Sequence, residues 1–126
     1  MKHNPRFLAL VQAVRPHIRE GSWETVDSWR ASATPFVVVD VREASEWAGG
    51  HVPGALLLGK GVLERDIEAQ LPDPGTRIAL YCGGGYRSAL AAYNLQQMGY
   101  ADVWSVDGGW RAWTDAGRPV SHPSAG

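Results

Sequence analysis

Cysteine is nearly missing from this chain: Cys82 stands alone among 126 residues. No disulfide can form within it, so the sequence suits a reducing compartment and a cytoplasmic location is expected. A surplus of either charge is also missing, with 12 lysines and arginines against 13 aspartates and glutamates and a formal net charge of −1. That balance argues against a nucleic-acid surface or an anionic membrane as the main business. No stretch approaches the roughly 20 apolar residues of a membrane-spanning helix. The N-terminal segment starts with positive charge, but its apolar part, Phe7 to Val14, is short, broken by Gln12 and followed by Arg15 and Pro16. With no small-residue cleavage site behind it, this segment reads as a helix and not as a signal peptide. Repeats and low-complexity runs are lacking, and the length fits one domain with a real core. The histidines His3, His17, His51 and His122 are scattered, none at metal-ligand spacing, so no metal and no other cofactor is expected.

What is present alternates. Asn4-Pro5 is a helix start, with Asn as N-cap and Pro at the first helical position, and Phe7, Val11 and Val14 share one face before Pro16. Residues 17–20 can form a short edge strand. Ser22 can cap a helix to about Arg30 that buries Trp23, Val26 and Trp29. Phe36 to Val41 is a β-branched run of the kind covered on both faces. Ser45 to Gly50 reads as a short helix, Ala55 to Leu58 as a buried strand, Val62 to Leu71 as a helix, and Ile78 to Cys82 as the next strand. From about Tyr86 the spacing is helical, with Ala91, Leu95 and Met98 aligned and Gly99 as C-cap; Val103 to Val106 is a last strand and Trp110 to Ala116 a last helix. Strands alternating with helices imply an α/β sandwich with a mostly parallel sheet. In such sheets sites form beyond the C-terminal strand ends. Asp40 and Cys82 both fall at such ends and are expected near one another.

Cys82-Gly83-Gly84-Gly85-Tyr86-Arg87-Ser88 is the stretch that carries chemistry. A cysteine between a strand and a helix start, followed by glycines, can collect backbone N–H groups and the positive end of a helix dipole at one anionic point. Those donors stabilise the thiolate, so the thiol should be acidic and nucleophilic. A buried structural thiol is the alternative for a lone cysteine, and the glycines and Arg87 favour the nucleophile.

Four segments in register resemble the single-domain rhodanese (thiosulfate sulfurtransferase) family. They are Asp40-Val41-Arg42-Glu43 with Glu46 beyond, Gly50-His51-Val52-Pro53-Gly54-Ala55, the loop Cys82 to Ser88, and Gly108-Gly109-Trp110. The resemblance divides the chain into a helical extension (1–16), a rhodanese-like domain (17–119) and a flexible tail (120–126). It implies a five-stranded parallel central sheet flanked by helices on both faces. It also implies that Cys82 takes a sulfane sulfur from a small-molecule donor such as thiosulfate, holds it as a persulfide, and passes it to cyanide, a thiol or a protein acceptor. The loop residues Gly83, Gly84, Gly85, Tyr86 and Arg87 would cup the substrate, with Asp40, Arg42 and Ser88 in support.

Arg87 either points inward to hold an anionic donor or outward as a salt-bridged residue. Tyr86 covers the helix start or shields the sulfur. Asp40 and Arg42 fix neighbouring loops, Arg42 pairing with Glu46 four residues on. His51 is read as holding a turn and not as a general base. The family's two-domain thiosulfate enzymes carry basic side chains directly after the cysteine and an arginine four residues beyond the Asp-x-Arg arginine. Gly83, Gly84 and Glu46 stand at those positions, which puts thiosulfate in question as the natural donor while leaving persulfide chemistry intact. Lys60 and Arg65 are candidates for the missing charge, or solvated helix-flank residues. The tryptophans are read as core and sheet cover, with Trp110 at the pocket rim. Two rival readings are a phosphatase or arsenate reductase of the same fold, whose loop needs five residues between cysteine and arginine, and a non-catalytic binding or regulatory module. Oligomeric state is not readable.

Overall fold

Strands form where the β-branched and apolar runs lie: β1 (Arg19–Gly21), β2 (Val37–Asp40), β3 (Leu56–Leu57), β4 (Ile78–Tyr81) and β5 (Val103–Val106). In the computed structural model, which describes residues 3–123, they make one parallel sheet of order β1-β5-β4-β2-β3. Parallel neighbours need crossovers, and helices supply them. Helix α1 (Pro5–Val14) and a 3₁₀ turn at Arg15–His17 precede β1; the crossovers are α2 (Trp23–Ala31), α3 (Ala44–Ala48), α4 (Leu63–Gln70) and α5 (Tyr86–Gln97), and α6 (Gly109–Asp115) follows β5. The expected five-stranded parallel sandwich is the fold observed.

The period of two along β2 and β4 sorts side chains between two helical layers. Val39, Ile78, Leu80 and Cys82 pack with Leu63, Ile67, Ala91 and Leu95 of α4 and α5. Val38, Ala79 and Tyr81 pack on the other face with Trp23, Val26 and Trp29 of α2 and Trp113 of α6. Both central strands are therefore apolar on both faces, up to the buried Asp40 that ends β2. Ser22 caps α2, its hydroxyl accepting the Thr25 N–H at 3.3 Å while Thr25 Oγ1 accepts the Ser22 N–H at 3.1 Å. Helix α1 lies against α5, burying Val11 and Val14 on Ala89 and Leu90.

Two expectations, on Met98 and on the tail, need correction or completion, and the tryptophans are core and sheet cover as read. Met98 is not part of the buried face of α5; it follows the last helical residue and is exposed, while Ala91 and Leu95 are buried. None of the tryptophans is exposed: Trp23, Trp29 and Trp113 are buried, and Trp47, Trp104 and Trp110 half-buried. Within the segment expected to be a tail, Ser121 exchanges two backbone hydrogen bonds of 2.9 Å with His51; residues 124–126, like 1 and 2, lie outside the described part.

Candidate active site

The chain leaves β4 at Tyr81 and turns through Cys82–Gly85 into α5. Cys82 is 1% exposed, and its sulfur is held from the helix side. The Gly85 N–H donates to Sγ at 3.2 Å and the Ser88 N–H at 3.4 Å. The Ser88 hydroxyl lies 3.5 Å from Sγ and 2.8 Å from the Ser105 hydroxyl. Gly85, the N-cap of α5, has no side chain to cap with; the sulfur occupies that role at the positive end of a 12-residue helix. The turn requires Gly85 at φ +101°, a region costly for a residue with a Cβ.

The N-terminus of α6 closes the turn from behind. Trp110 N–H donates to the Cys82 carbonyl at 2.8 Å and Arg111 N–H to the Gly83 carbonyl at 3.0 Å. A Cβ on Gly109, which sits at φ +45°, would run into the Cys82 carbonyl oxygen. That close approach is the physical reason for glycine in the Gly108-Gly109-Trp110 motif, and Trp23 Nε1 fixes it by donating to the Gly109 carbonyl at 2.8 Å.

Arg87 points inward but is not free. Its two terminal nitrogens donate to the two Glu46 carboxylate oxygens at 2.7 and 3.0 Å. The guanidinium also lies beside Gly83, where a Cβ would meet it at 3.2 Å. The Arg87 hydrogen bonds hold the Glu46 carboxyl down to about 2 against the opposing effect of burial. Glu46 in turn keeps Arg87 charged more firmly than usual, with a smaller contribution from Cys82.

Above the sulfur opens a pocket of about 760 Å³. Cys82, Gly83 and Gly84 form its floor, His3, Phe7 and Tyr86 one wall, and Trp110 and Arg111 another, with Glu46, Arg87, Asp107 and Gly108 completing it. The His3 ring sits 4.1 Å from the Tyr86 ring and 5.3 Å from Phe7, so α1 reaches the site. A smaller hollow of about 270 Å³, bounded by Arg15, Glu20, Gly21, Ser22 and Asp107, does not include the sulfur.

Asp40 and Arg42 form a separate network under the site. Asp40 pairs in register with Tyr81, one residue before Cys82. The two strand ends are adjacent as expected, yet the side chains diverge: Cys82 faces α4 and α5, and Asp40 faces Tyr81. Asp40 is fully buried; it accepts the Tyr81 hydroxyl at 2.6 Å, the Arg42 N–H at 2.9 Å, and the Arg42 guanidinium at 2.8–3.1 Å. Burial opposes the charge on Arg42, but the Asp40 hydrogen bonds, together with the attraction of Asp40 and its neighbours, outweigh it and hold the guanidinium charged. Burial and the Asp40 bond push the Tyr81 phenol well above its usual range. Arg42 also donates to the Gly50 carbonyl at 2.8 Å and stacks 4.6 Å from the Trp110 ring centroid. The expected Arg42–Glu46 pair does not form, because a buried carboxylate two residues back takes Arg42 while Glu46, on α3, faces Arg87. Neither Asp40 nor Arg42 lines the pocket.

His51 lies outside the pocket and stacks on Trp47 with centroids 3.4 Å apart. Arg65 is spent on Asp66 at the surface, and neither it nor Lys60 lines the pocket. Sequence reasoning missed His3, Phe7, Asp107 and Arg111. Phe7 was visible as part of an apolar helix face, but nothing local says that this face ends at the sulfur. Among the described residues, no three His, Cys, Asp or Glu side chains cluster as metal ligands, and no helix is long and apolar enough to cross a membrane.

A parallel α/β sandwich whose central strand ends in one cysteine, with a helix N-terminus behind the sulfur and a pocket before it, defines a cysteine-loop domain. The rhodanese-like domain profile matches residues 23–116, and the chain belongs to that family. GlpE, a thiosulfate sulfurtransferase of Pseudomonas putida, is 42% identical over 77 residues, which is 61% of this chain and 68% of that protein. A Rhodopseudomonas palustris protein of unknown function, described as a possible tyrosine phosphatase, superposes with a TM-score of 0.79 at 31% identity, covering 96% of this chain and 99% of the other. A thiosulfate sulfurtransferase of Pseudomonas aeruginosa superposes with a TM-score of 0.78 at 26% identity over 92% of this chain, which corresponds to 22% of that longer protein.

Proposed function

We propose that this protein is a sulfurtransferase working through a Cys82 persulfide. The observation that carries the reading is the Cys82 sulfur at the floor of an open pocket, held by the Gly85 and Ser88 N–H groups at the start of α5. Such donors point at the place where negative charge sits during the attack. The thiolate attacks the outer sulfur of a sulfane donor; the donor's S–S bond breaks and the leaving group departs with the electron pair, sulfite in the case of thiosulfate. Covalent storage divides the transfer into two steps. The outer sulfur of the persulfide is then attacked by an acceptor thiolate or cyanide, and Cys82 leaves as thiolate. Fixed N–H dipoles serve both anions, as preorganised donors do in acyl transfer.

The supporting roles follow from position. Gly83 and Gly84 leave the floor bare for the incoming sulfur, Tyr86 and Trp110 wall it, and Arg87 sets the charge. Ser88 holds the sulfur, while Asp40 and Arg42 hold the loop and Trp110 in place. With no second cysteine in the chain, the persulfide must be emptied by an external small thiol or a protein acceptor, which suits a reducing, cytoplasmic setting. A phosphatase fits less well: only four residues separate Cys82 from Arg87, and both terminal nitrogens of Arg87 are taken by Glu46.

The test is intact mass. Incubation with a sulfane donor adds one sulfur atom to the wild-type protein and none to Cys82→Ser, and cyanide removes it as thiocyanate. No adduct with any donor, together with aryl phosphate hydrolysis, would move the assignment to a phosphatase. Partner binding that Cys82→Ser leaves unchanged, with neither activity, would move it to a binding module.

A further inference from the structure

Arg87 and Glu46 both line the pocket that holds Cys82. A cation at the mouth of a sulfur site is the natural holder of a small dianion, and its two terminal nitrogens form the fork that grips oxyanions. Here the Glu46 carboxylate already fills that fork. The carboxylate is itself pinned, accepting the Glu43 N–H at 3.0 Å in the capping box of α3. Glu46 stays ionised across the working pH range because Arg87 holds its carboxyl down to about 2.

We propose that Glu46 is a specificity-determining residue that closes this pocket to small inorganic dianions, and that the donor is a small organic sulfane-sulfur compound with at most one negative charge and an apolar or aromatic body. The inference rests on the sulfurtransferase reading and deepens it. A second anion at Arg87 must displace the carboxylate or sit against it, and like charges in contact are strongly unfavourable. The other described charges of the lining offer no surplus, since Arg111 and Asp107 are opposite in sign and both exposed, where water screens them. What the pocket offers instead is aromatic surface, from the His3, Phe7 and Tyr86 cluster and from Trp110. Its volume of about 760 Å³ is that of a site for an organic ligand.

Two donors separate the alternatives: thiosulfate, a small dianion, and benzenethiosulfonate, an aryl monoanion. Each is assayed for kcat and KM with cyanide as acceptor, and for sulfur on Cys82 by mass. Glu46→Gln keeps an oxygen for the Glu43 N–H and removes the charge. It is expected to raise kcat/KM for thiosulfate about tenfold, mainly through KM, while changing benzenethiosulfonate less than about threefold. Phe7→Ala is expected to lower kcat/KM for benzenethiosulfonate about threefold to tenfold more than for thiosulfate. A parallel loss with both donors in Glu46→Gln would mean that Glu46 only positions Arg87, and an unchanged thiosulfate KM would equally overturn the proposal. Wild type gives a check that no variant can spoil. Benzenesulfonate should protect Cys82 from alkylation at concentrations where sulfate does not, and equal protection by sulfate refutes the inference. Failure of both donors to place sulfur on Cys82, in wild type and variant alike, instead refutes the sulfurtransferase reading and the inference with it.

Discussion

Arg42→Met removes the cation from a carboxylate that has no water to turn to. Asp40 is 0% and Arg42 3% exposed, and the guanidinium supplies three of the close contacts to the carboxylate, at 2.8–3.1 Å. After the substitution Asp40 keeps only the Tyr81 hydroxyl and one backbone N–H. Breaking a buried pair by removing one partner costs about 3–5 kcal/mol, because a buried charge is left uncompensated. At roughly 2.1 cal/mol/K of unfolding entropy per residue, 126 residues convert this to a fall in Tm of about 11–19 °C. The Gly50 carbonyl also loses its donor and Trp110 its stacked cation, so the upper half of the range is expected. Urea unfolding with a two-state fit measures the free energy, and calorimetry the midpoint. The double variant Asp40→Asn/Arg42→Met should recover part of the loss, since it removes the stranded charge, giving a coupling of at least about 1 kcal/mol in the double-mutant cycle. A loss below about 1 kcal/mol for Arg42→Met, or additive single effects, would refute the view that this pair supports the site from beneath.

Two further outcomes follow from the same geometry. Gly109→Ala must place a Cβ at φ +45° against the Cys82 carbonyl; left-handed backbone costs about 1–2 kcal/mol and overpacking about 1–3 kcal/mol. Its urea midpoint should fall accordingly, and the sulfur loading of Cys82 should slow as α6 is pushed off the loop; an unchanged loading rate would mean that α6 does not set the sulfur's position. The Arg87–Glu46 pair should stabilise the fold in full above about pH 5, since the folded Glu46 value of about 2 lies below the ordinary 4.5, and lose its effect as pH falls through the folded value. The stability difference between wild type and Glu46→Gln should thus be level from about pH 5 to 9 and close toward pH 2; a difference that persists at pH 2 would show that charge is not its source.

The strand runs and helix spacings were legible because each is a local pattern. Val37–Val39 and Ile78–Tyr81 are apolar on both faces, which only a sheet covered on both sides requires, and the observed strands fall within the stretches expected. Ser22 announced α2 by its capping chemistry, and the triplet Trp23, Val26, Trp29 announced the buried face. Errors arose where one side chain had two candidate partners. Arg42 with Glu46 was reasonable at a spacing of four, but the buried carboxylate of Asp40 competes better, and the choice depends on burial that a sequence does not display.

By itself, then, the amino-acid order determined the parallel α/β architecture, the position of Cys82 between a strand and a helix start, and the glycines that let backbone donors approach it. These are properties of neighbours along the chain. Only the tertiary structure decided which way Arg87 points, that Glu46 from α3 occupies its fork, and that Phe7 of α1 and His3 just before it wall the pocket. Those contacts join residues far apart in sequence: α1 packs on α5, and α3 is tied to α5 through Glu46 and Arg87. The charge and shape of the space above the sulfur belong to that packing, whereas the sulfur's own cradle was already written in seven consecutive residues, Cys82 to Ser88.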